Sequence, residues 1–308
     1  MVEFKHIPVM LQECLDGLNL KSDGVFVDGT LGGAGHSYHI AKKCKKLIAI
    51  DRDEDAIKAS KEKLKEFKNV VFVHDNFFNL KAILEAQKIS DVDGILLDLG
   101  VSSYQLDTKE RGFTYMQDAT LDMRMDTAQA LSAKDIVNNY SVQELTRIIR
   151  DYGEERFAYQ IAKNIEKQRK LSPIETTSQL KEIIDSSIPA KLRFKFGLPY
   201  KRTFQALRIE TNGELENLNQ AILDAFDCLK SGGRLVVITF HSLEDRIVKK
   251  AFAGLCEGCV CKTYSPICVC GRTPKGKLIN KKPITATKEE LDENKRSASA
   301  KLRIIEKL

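Results

Sequence analysis

The sequence predicts an α/β fold with a doubly wound parallel sheet and an inserted helical subdomain. Strand-like apolar runs recur, helical stretches lie between them, and one connection is far too long for a simple crossover. Because the runs are nearly all apolar, they indicate a parallel sheet covered on both faces. The runs are VFVDG (25–29), KLIAID (46–51), NVVFVHD (69–75), DGILLDLG (93–100), GRLVVITF (233–240) and SAKLRIIEKL (299–308).

Two of the helical stretches have a clear apolar face. EDAIKASKEKLKEF (54–67) places Ile57, Leu64 and Phe67 on one side of a helix. HSLEDRIVKKAF (241–252) does the same with Val248 and Phe252, among others. Each stretch follows a strand-like run, so each is expected to cover the sheet.

The long connection separates the fourth run from the fifth. It spans about 130 residues, whereas a helical crossover needs about a dozen. GELENLNQAILDAFDCLK (213–230) has the spacing of a crossover helix, and SVQE (141–144) is a capping-box pattern within a helix-like region. We therefore assign residues 1–105 and 203–308 to the sheet domain and residues 106–202 to an inserted helical domain for substrate recognition.

Composition and charge are those of an ordinary soluble globular protein. Of the 308 residues, 43% are apolar and 30% are charged, and the formal net charge is +6. No apolar run approaches the roughly 20 residues that span a bilayer, and the N-terminus lacks the pattern of a secretory signal. We expect a cytoplasmic protein with reduced thiols and no membrane partner. The sequence leaves the oligomeric state open.

The glycine-rich loop DGTLGGAGHS (28–37) follows the first strand-like run. The dinucleotide fingerprint G-x-G-x-x-G does not fit, because Tyr38 stands where the third glycine belongs after Gly33 and Gly35. The phosphate-binding G-K-[ST] sequence is also absent. The loop therefore lacks the residues that bind a nicotinamide dinucleotide and those that bind a nucleoside triphosphate.

Aspartates end four consecutive strand-like runs, at Asp28, Asp51, Asp75 and Asp98. The carboxyl ends of parallel strands meet at one edge of a sheet, where open α/β sheets bind ligands. Carboxylates favour hydroxyls, amines and cations and repel phosphates. This pattern favours S-adenosylmethionine, which has a ribose, an ammonium and a sulfonium. The alternative is that these aspartates only cap helices.

Several longer motifs carry a family resemblance. In order, DGTLGGAGHS, AIDRD, DLGVSSYQLD, YGEERFA, GGRLVVITFHSLEDRIVK and SAKLR run through nearly the whole chain. The chain resembles the bacterial ribosomal RNA small subunit methyltransferase H family, which is MraW-like. The resemblance implies a class I methyltransferase (Rossmann-like) sheet with an inserted helical domain. It also implies S-adenosylmethionine-dependent methylation of a cytidine N4 amine in the decoding centre of 16S ribosomal RNA.

The resemblance also implies a set of cofactor-binding residues. The loop backbone is expected to pass beside the methionine end, Asp51 to bridge the ribose hydroxyls, and Phe77 to pack on the adenine. Asp98 is expected near the departing methyl group and is our candidate catalytic residue. The implied cofactor-binding residues are Gly33, Ala34, Gly35, His36, Asp51, Phe77, Asp98 and Gln105.

The chemistry requires no covalent nucleophile. An exocyclic amine attacks the methyl group directly, so positioning and electrostatics can supply most of the catalysis. Ser102 and Ser103 are candidates for orienting the base. In HSLEDR, Ser242 and Asp245 fit a capping box, whereas His241 is equally compatible with a structural or a catalytic role.

Two stretches without acidic residues suggest an RNA partner, either small-subunit ribosomal RNA or the assembling small subunit. One is 191–208, and the other runs from Gly258 to Lys288 with seven basic residues. Cations meet phosphates, and interleaved aromatic rings can stack on bases. In the first stretch the cations are Lys191, Arg193, Lys195, Lys201, Arg202 and Arg208, and the aromatic residues are Phe194, Phe196, Tyr200 and Phe204.

Five of the eight cysteines crowd into CEGCVCKTYSPICVC (256–270). Closely spaced reduced thiols suggest zinc, but pairs separated by a single residue are not a standard ligand spacing. Zinc, reduced thiols and disulfides therefore all remain open, and we assign no metal. The clustered cysteines are Cys256, Cys259, Cys261, Cys268 and Cys270, and the isolated ones, expected in the core, are Cys14, Cys44 and Cys228.

Two other functions remain open at this stage. One is a methyltransferase of the same class with another nucleic acid or a protein as substrate. The other is a ribosome assembly factor without catalytic activity, although such a protein would be expected to lose Asp51 or the glycines, and both are present.

Overall fold

The computed structural model describes residues 8–193, 198–259, 261 and 270–308. The chain divides into two compact units, a sheet unit of residues up to Gly100 with Leu215–Leu308, and a helical unit of Val101–Glu214. The sequence places these boundaries after residues 105 and 202. The helical unit extends further because Phe204 and Leu207 belong to its apolar core.

Helices and strands occupy most of both units. The strands are β1 (Val25–Asp28), β2 (Lys46–Asp51), β3 (Val70–His74), β4 (Val92–Asp98), β5 (Leu229–Thr239), β6 (Gly276–Leu278) and β7 (Lys301–Lys307). The helices are α1 (Leu11–Leu18), α2 (Gly35–Ala41), α3 (Glu54–Lys63), α4 (Leu80–Ala86), α5 (Ser103–Asp107), α6 (Ala133–Asn139), α7 (Val142–Asp151), α8 (Ala158–Arg169), α9 (Thr177–Ser186), α10 (Ala190–Arg193), α11 (Pro199–Asn212), α12 (Leu218–Asp227), α13 (Ser242–Cys256) and α14 (Lys288–Glu293).

Within the described residues the strands form one seven-stranded sheet of order β3-β2-β1-β4-β5-β7-β6. Strands β1 to β5 pair in parallel, and β7 lies antiparallel to both β5 and β6. All six predicted strands are therefore confirmed. The sequence gives no signal for β6, because a three-residue strand that depends on pairing with β7 has no periodicity to read. The strand order reverses between β1 and β4, where doubly wound sheets bind ligands.

Two apolar layers cover the two faces of the sheet. Residues of β2 alternate between them, since Ile48 and Ile50 face one layer while Leu47 and Ala49 face the other. Helices α4, α12 and α13 close the first layer, and α1, α2 and α3 close the second. The doubly wound prediction is confirmed, and the predicted crossover helix is α12.

The helical unit has its own apolar core, built from α6 to α9 and α11. Ser141 and Glu144 cap α7 reciprocally, as the sequence predicts. Buried Glu155 accepts hydrogen bonds from the Phe157 backbone N–H and from Arg202. Because a buried carboxylate needs such partners, this ion pair holds the segment before α8 against α11.

No helix in the part of the chain that the structure describes is long and apolar enough to cross a membrane.

Candidate functional site

The glycine loop joins β1 to α2 in a tight, left-handed path. Gly32 and Ala34 both have positive φ angles, of 48° and 55°. At the start of the loop, a Cβ added to Gly29 would lie 2.5 Å from Leu97 Cδ2 and 3.1 Å from Phe77 Cβ. Any larger residue would have to displace the Leu97 side chain, so the loop is packed closely against β4 and the segment after β3.

Side chains from the second strand and its helix hold this loop. Asp51 Oδ2 accepts a 2.7 Å hydrogen bond from the Gly32 N–H, and Ser60 Oγ donates to the Gly32 carbonyl at 2.8 Å. Lys63 Nζ donates to the Gly33 carbonyl at 2.7 Å. Sequence reasoning missed buried Ser60 and exposed Lys63, because single polar residues within a helix carry no distinguishing pattern. The loop is therefore pre-formed by contacts to β2 and α3.

The four strand-end aspartates lie at the same sheet edge, but their surroundings differ. Asp28 is 1% exposed and accepts hydrogen bonds from Ser37 Oγ at 2.7 Å and the Thr30 N–H at 3.1 Å. Asp75 accepts bonds from the Asn76 N–H and the Asn79 side chain. These two aspartates have local structural roles, but neither caps a helix, since Ala34 is the N-cap of α2 and Asn76 that of the 3-10 turn after β3.

Asp51 remains half-buried, with an oxygen held by Gly32 and the other accepting from the Asp53 N–H at 2.9 Å. Each carboxylate oxygen has two lone pairs, so both retain the capacity to accept a hydroxyl. Burial raises the pKa of Asp51 above its usual value. A ligand that donates hydrogen bonds to this carboxylate favours its charged form.

Asp98 has a buried oxygen without a hydrogen-bond partner among the described residues. This atom is Oδ1, while Oδ2 lies 3.7 Å from Nδ1 of buried His36. His36 Nε2 lies 3.0 Å from the Val9 carbonyl, so it donates there and Nδ1 faces Asp98. Burial, with smaller contributions from Asp28 and Glu244, raises the pKa of Asp98 well above its usual value. Such a carboxyl fits a cationic or hydrogen-bond-donating ligand, because either would supply the missing partner.

Phe77 begins a 3-10 turn directly after β3 and lies beside the start of the glycine loop. Its ring is half-buried and meets Phe78 edge-on, with centroids 4.8 Å apart. The predicted cofactor residues of the sheet unit thus share one sheet edge. These are Gly33, Ala34, Gly35, His36, Asp51, Phe77 and Asp98.

Gln105 belongs to the helical unit and is the capping-box partner of Ser102, the N-cap of α5. Its side-chain oxygen accepts from the Ser102 N–H at 3.0 Å, and Ser102 Oγ accepts from the Gln105 N–H at 3.2 Å. Gln105 and Ser102 therefore have a structural role in the helical unit, and Ser103 is the first residue of α5. A contact of Gln105 with the cofactor stays a prediction.

The capping box predicted in HSLEDR is wrong by one residue. His241, not Ser242, caps α13, and its box partner is Glu244. Asp245 instead binds Arg303 at 2.7 Å and Lys301 at 3.4 Å, which fastens α13 to β7. The shift arises because Glu244 reaches the Phe240 and His241 N–H groups at the end of β5.

The basic stretch at 191–208 is only partly an exposed surface. Lys191 and Lys201 are exposed, whereas Arg202 binds buried Glu155 and Arg208 binds Glu214 at 2.8 Å. Phe194, Lys195 and Phe196 lie outside the described residues, as does the side chain of Arg193. The remaining stretch offers fewer cations to a partner than its composition suggests.

The two described aromatic residues of this stretch serve the helical core. Phe204 is 4% exposed, so the expectation that it stacks on a base is wrong. Tyr200 is half-buried and packs on Tyr115, with centroids 5.0 Å apart. Helical spacing decides this outcome, because both residues lie on the inner face of α11.

A separate basic groove lies between α7 and α8 of the helical unit. Its volume is about 440 Å³, and Arg147, Arg150 and Lys163 line it beside Tyr159. Tyr159 is 51% exposed, and Lys163 Nζ lies 5.4 Å from the centre of its ring. Sequence reasoning missed this surface, because its residues are scattered along two helices.

Asp28→Asn is expected to stabilise the protein at neutral pH and to leave its stability unchanged near pH 4. Burial raises the pKa of Asp28 to about 6, so between about pH 4 and 6 only the folded state holds the proton. The wild type therefore loses up to about 3 kcal/mol of unfolding free energy as the pH rises through this window. Urea unfolding of both proteins across that range checks this, and a pH-independent difference would contradict it.

The comparisons with known proteins agree along the whole chain. The sequence model of the MraW methylase family matches residues 3–308. A ribosomal RNA small subunit methyltransferase H from Clostridium botulinum (strain 657 / Type Ba4) is 56% identical over 310 residues, covering 100% of both chains. The enzyme of that name from Lachnospira eligens is 57% identical over 312 residues, covering 100% of this chain and 99% of its own.

Among solved structures, an rRNA methylase from Streptococcus thermophilus aligns with a TM-score of 0.41 and 12% identity, over 97% of this chain and 95% of that one. The full-length family match and the relatives above 50% identity decide the assignment. The chain belongs to the MraW methylase family of S-adenosylmethionine-dependent methyltransferases.

Proposed function

We propose that this protein methylates the N4 amine of a specific cytidine in the decoding centre of 16S ribosomal RNA. Relatives named ribosomal RNA small subunit methyltransferase H, matched over their full length, support a small-subunit RNA substrate. The motifs DLGVSSYQLD and ITFHSLEDRIVK support the cytidine amine through the resemblance described above. The observation that carries the chemistry is the buried Asp98 carboxyl oxygen without a partner among the described residues, beside the glycine loop.

In this proposal the sheet edge binds the cofactor. The pre-formed backbone at Gly33, Ala34 and Gly35 lies beside the methionine end, and Asp51 accepts the ribose hydroxyls. Phe77 offers a half-buried aromatic ring for the adenine. Asp98 supplies the negative charge that favours the cofactor's cationic end.

Bound S-adenosylmethionine supplies an electrophilic methyl group on a sulfonium. The protein has to hold the cytidine amine, exclude water and take up the proton that the amine loses. Asp98 is suited to the last task, because burial raises its pKa and so makes the carboxylate a stronger base than an ordinary one. As a carboxylate it can also accept a hydrogen bond from the amine and so orient the nitrogen lone pair.

The helical unit is proposed to bind the RNA, as free ribosomal RNA or within an assembling small subunit. Its groove between α7 and α8 combines three cations with an exposed tyrosine ring, and two of these cations, Arg147 and Arg150, also pair with Glu210 and Asp151. Cations bind phosphates, and an exposed ring can stack on an unpaired base. The target base has to leave any helix before it can be methylated.

Methyl transfer from labelled S-adenosylmethionine to small ribosomal subunits that lack the modification tests the proposal. Nucleoside analysis of the product is expected to yield N4-methylcytidine at one position. Label in another nucleoside, in other RNA or in protein would favour a methyltransferase of the same class with a different substrate. A folded protein that binds cofactor without transferring label would favour an assembly factor.

Asp98→Asn is expected to slow single-turnover methyl transfer by roughly 100-fold or more, because an amide cannot take up the proton. The substitution preserves shape and removes a buried charge, so the folded state should be retained. Rate measurement with saturating cofactor and subunits checks this. Wild-type rates in the variant would remove Asp98 from the chemistry.

Asp51→Ala is expected to weaken S-adenosylhomocysteine binding by about 1–3 kcal/mol, through loss of charged hydrogen bonds to the ribose. Since Asp51 also holds Gly32, Ser60→Ala is the matched control, because it loosens the same loop residue without removing the carboxylate. Calorimetric titration should show a smaller loss for Ser60→Ala. Equal losses of binding free energy in the two variants would mean that Asp51 only holds the loop and does not bind the ribose.

Charge removal in the α7–α8 groove is expected to weaken RNA binding. The Arg150→Gln and Lys163→Gln double variant should bind a small-subunit RNA fragment less tightly. Its salt dependence should also be shallower, by about one unit of slope for each phosphate that the protein no longer binds. The Lys167→Gln and Lys170→Gln double variant removes two exposed charges of the same unit outside the groove and serves as the control. Equal effects from both proteins would mean that only net charge matters.

A further inference from the structure

Three cysteine thiols lie together after α13, in a segment for which the proposed methyl transfer has no use. The sulfur atoms of Cys259, Cys261 and Cys270 all lie within 4.8 Å of one another. Those of Cys259 and Cys270 are 3.7 Å apart. None of the described cysteines forms a disulfide. The fold thus brings residues from the two ends of a twelve-residue stretch into one thiol cluster.

The spacing of the sulfur atoms fits a shared metal ion better than a disulfide. A disulfide requires an S–S distance of about 2.05 Å. Zinc binds thiolates at about 2.3 Å, so two sulfurs at the corners of a zinc tetrahedron lie about 3.8 Å apart. The 3.7 Å separation of Cys259 and Cys270 is close to that edge. Three thiolates can therefore surround one zinc ion with little movement.

The backbone favours a thiolate at this place, and the composition of the segment favours a soft metal ion. The Cys261 N–H lies 3.4 Å from Cys259 Sγ, and a hydrogen bond of this kind stabilises a negative sulfur. The segment from Gly258 to Lys288 contains seven basic and no acidic residues. Without carboxylates it has no preference for calcium or magnesium, whereas soft thiolates select zinc among the available divalent ions.

The other described cysteines have different surroundings. Cys14 and Cys228 are buried in the apolar layers of the sheet, as the sequence predicts. Cys256 is half-buried at the end of α13 and packs on the same apolar core. Burial raises the pKa of each of these thiols, which disfavours the thiolate form. The exposed thiol cluster is therefore distinct from the cysteines that fill the core.

We propose that Cys259, Cys261 and Cys270 bind a structural Zn²⁺ ion as thiolates, each releasing its proton to solvent. The three sulfurs supply three of the four ligands of a tetrahedral site. The ion would tie Cys270 to the residues that directly follow α13, where a hydrogen bond from the Lys275 N–H to the Leu255 carbonyl already joins the same two parts of the chain. Closing such a loop stabilises it by removing conformational freedom. The site does not depend on the proposed methyl transfer.

Metal titration of the full chain tests the proposal. Protein stripped with a chelator under reducing conditions is expected to take up one Zn²⁺ per chain. With Co²⁺ it should develop thiolate-to-metal charge-transfer bands and the visible spectrum of a tetrahedral site. Cys259→Ser and Cys270→Ser should each lose these signals, whereas Cys228→Ala, in the sheet core, should keep them.

The outcomes separate the alternatives. Four results would each overturn the zinc site. They are absence of metal uptake, a cobalt spectrum without thiolate bands, iron–sulfur absorbance, and metal retained after both serine substitutions. Binding of S-adenosylhomocysteine reports whether each variant is folded. The cobalt spectrum of the unsubstituted chain decides the matter even where a variant fails to fold.

Discussion

The hydrogen bonds that hold the glycine loop are the constraint on which the candidate cofactor site depends. Asp51 fixes the loop from β2, and Ser60 and Lys63 fix it from α3. The positive φ angle at Ala34 carries a conformational cost that these contacts offset, whereas Gly32 adopts its positive φ angle without such strain. If the loop were released, the order of the sheet edge would be lost together with the start of α2.

Burial of carboxylates at one sheet edge is the second constraint. Asp28 and Asp98 end neighbouring parallel strands, and burial raises the pKa of both. Asp28 recovers part of this cost through Ser37 and Thr30, whereas Asp98 Oδ1 has no partner among the described residues. The charged Asp98 carboxylate is unfavourable while it is buried without a partner, and a cationic ligand would stabilise it. The local destabilisation of the free protein therefore favours binding of such a ligand.

Much of the fold could be predicted from local pattern. Apolar runs and helical faces are properties of short segments, which is why the six strands and the capping box at Ser141 were predictable. The strand β6 and the burial of Phe204 were not, because each depends on a partner distant in the chain. The basic groove between α7 and α8 falls in the same class, since its residues meet only after the helices pack. The cap at His241 is local, with Glu244 three residues away, but the pattern Ser242-x-x-Asp245 offers an equally good box one residue later.

The sequence by itself determined that aspartates would gather at the carboxyl edge of a parallel sheet, because strand ends and glycine turns are local features. It also determined the family, through motifs spread along the whole chain. Only the tertiary structure decided which aspartate has hydrogen-bond partners for its carboxyl oxygens and which has a carboxyl oxygen without a partner among the described residues. The Asp98 backbone N–H donates a hydrogen bond to Thr30 Oγ1, and the carboxyl group faces His36; both residues are far from Asp98 in the chain. Hydrogen-bond partners are supplied across the fold, so no local pattern could assign them.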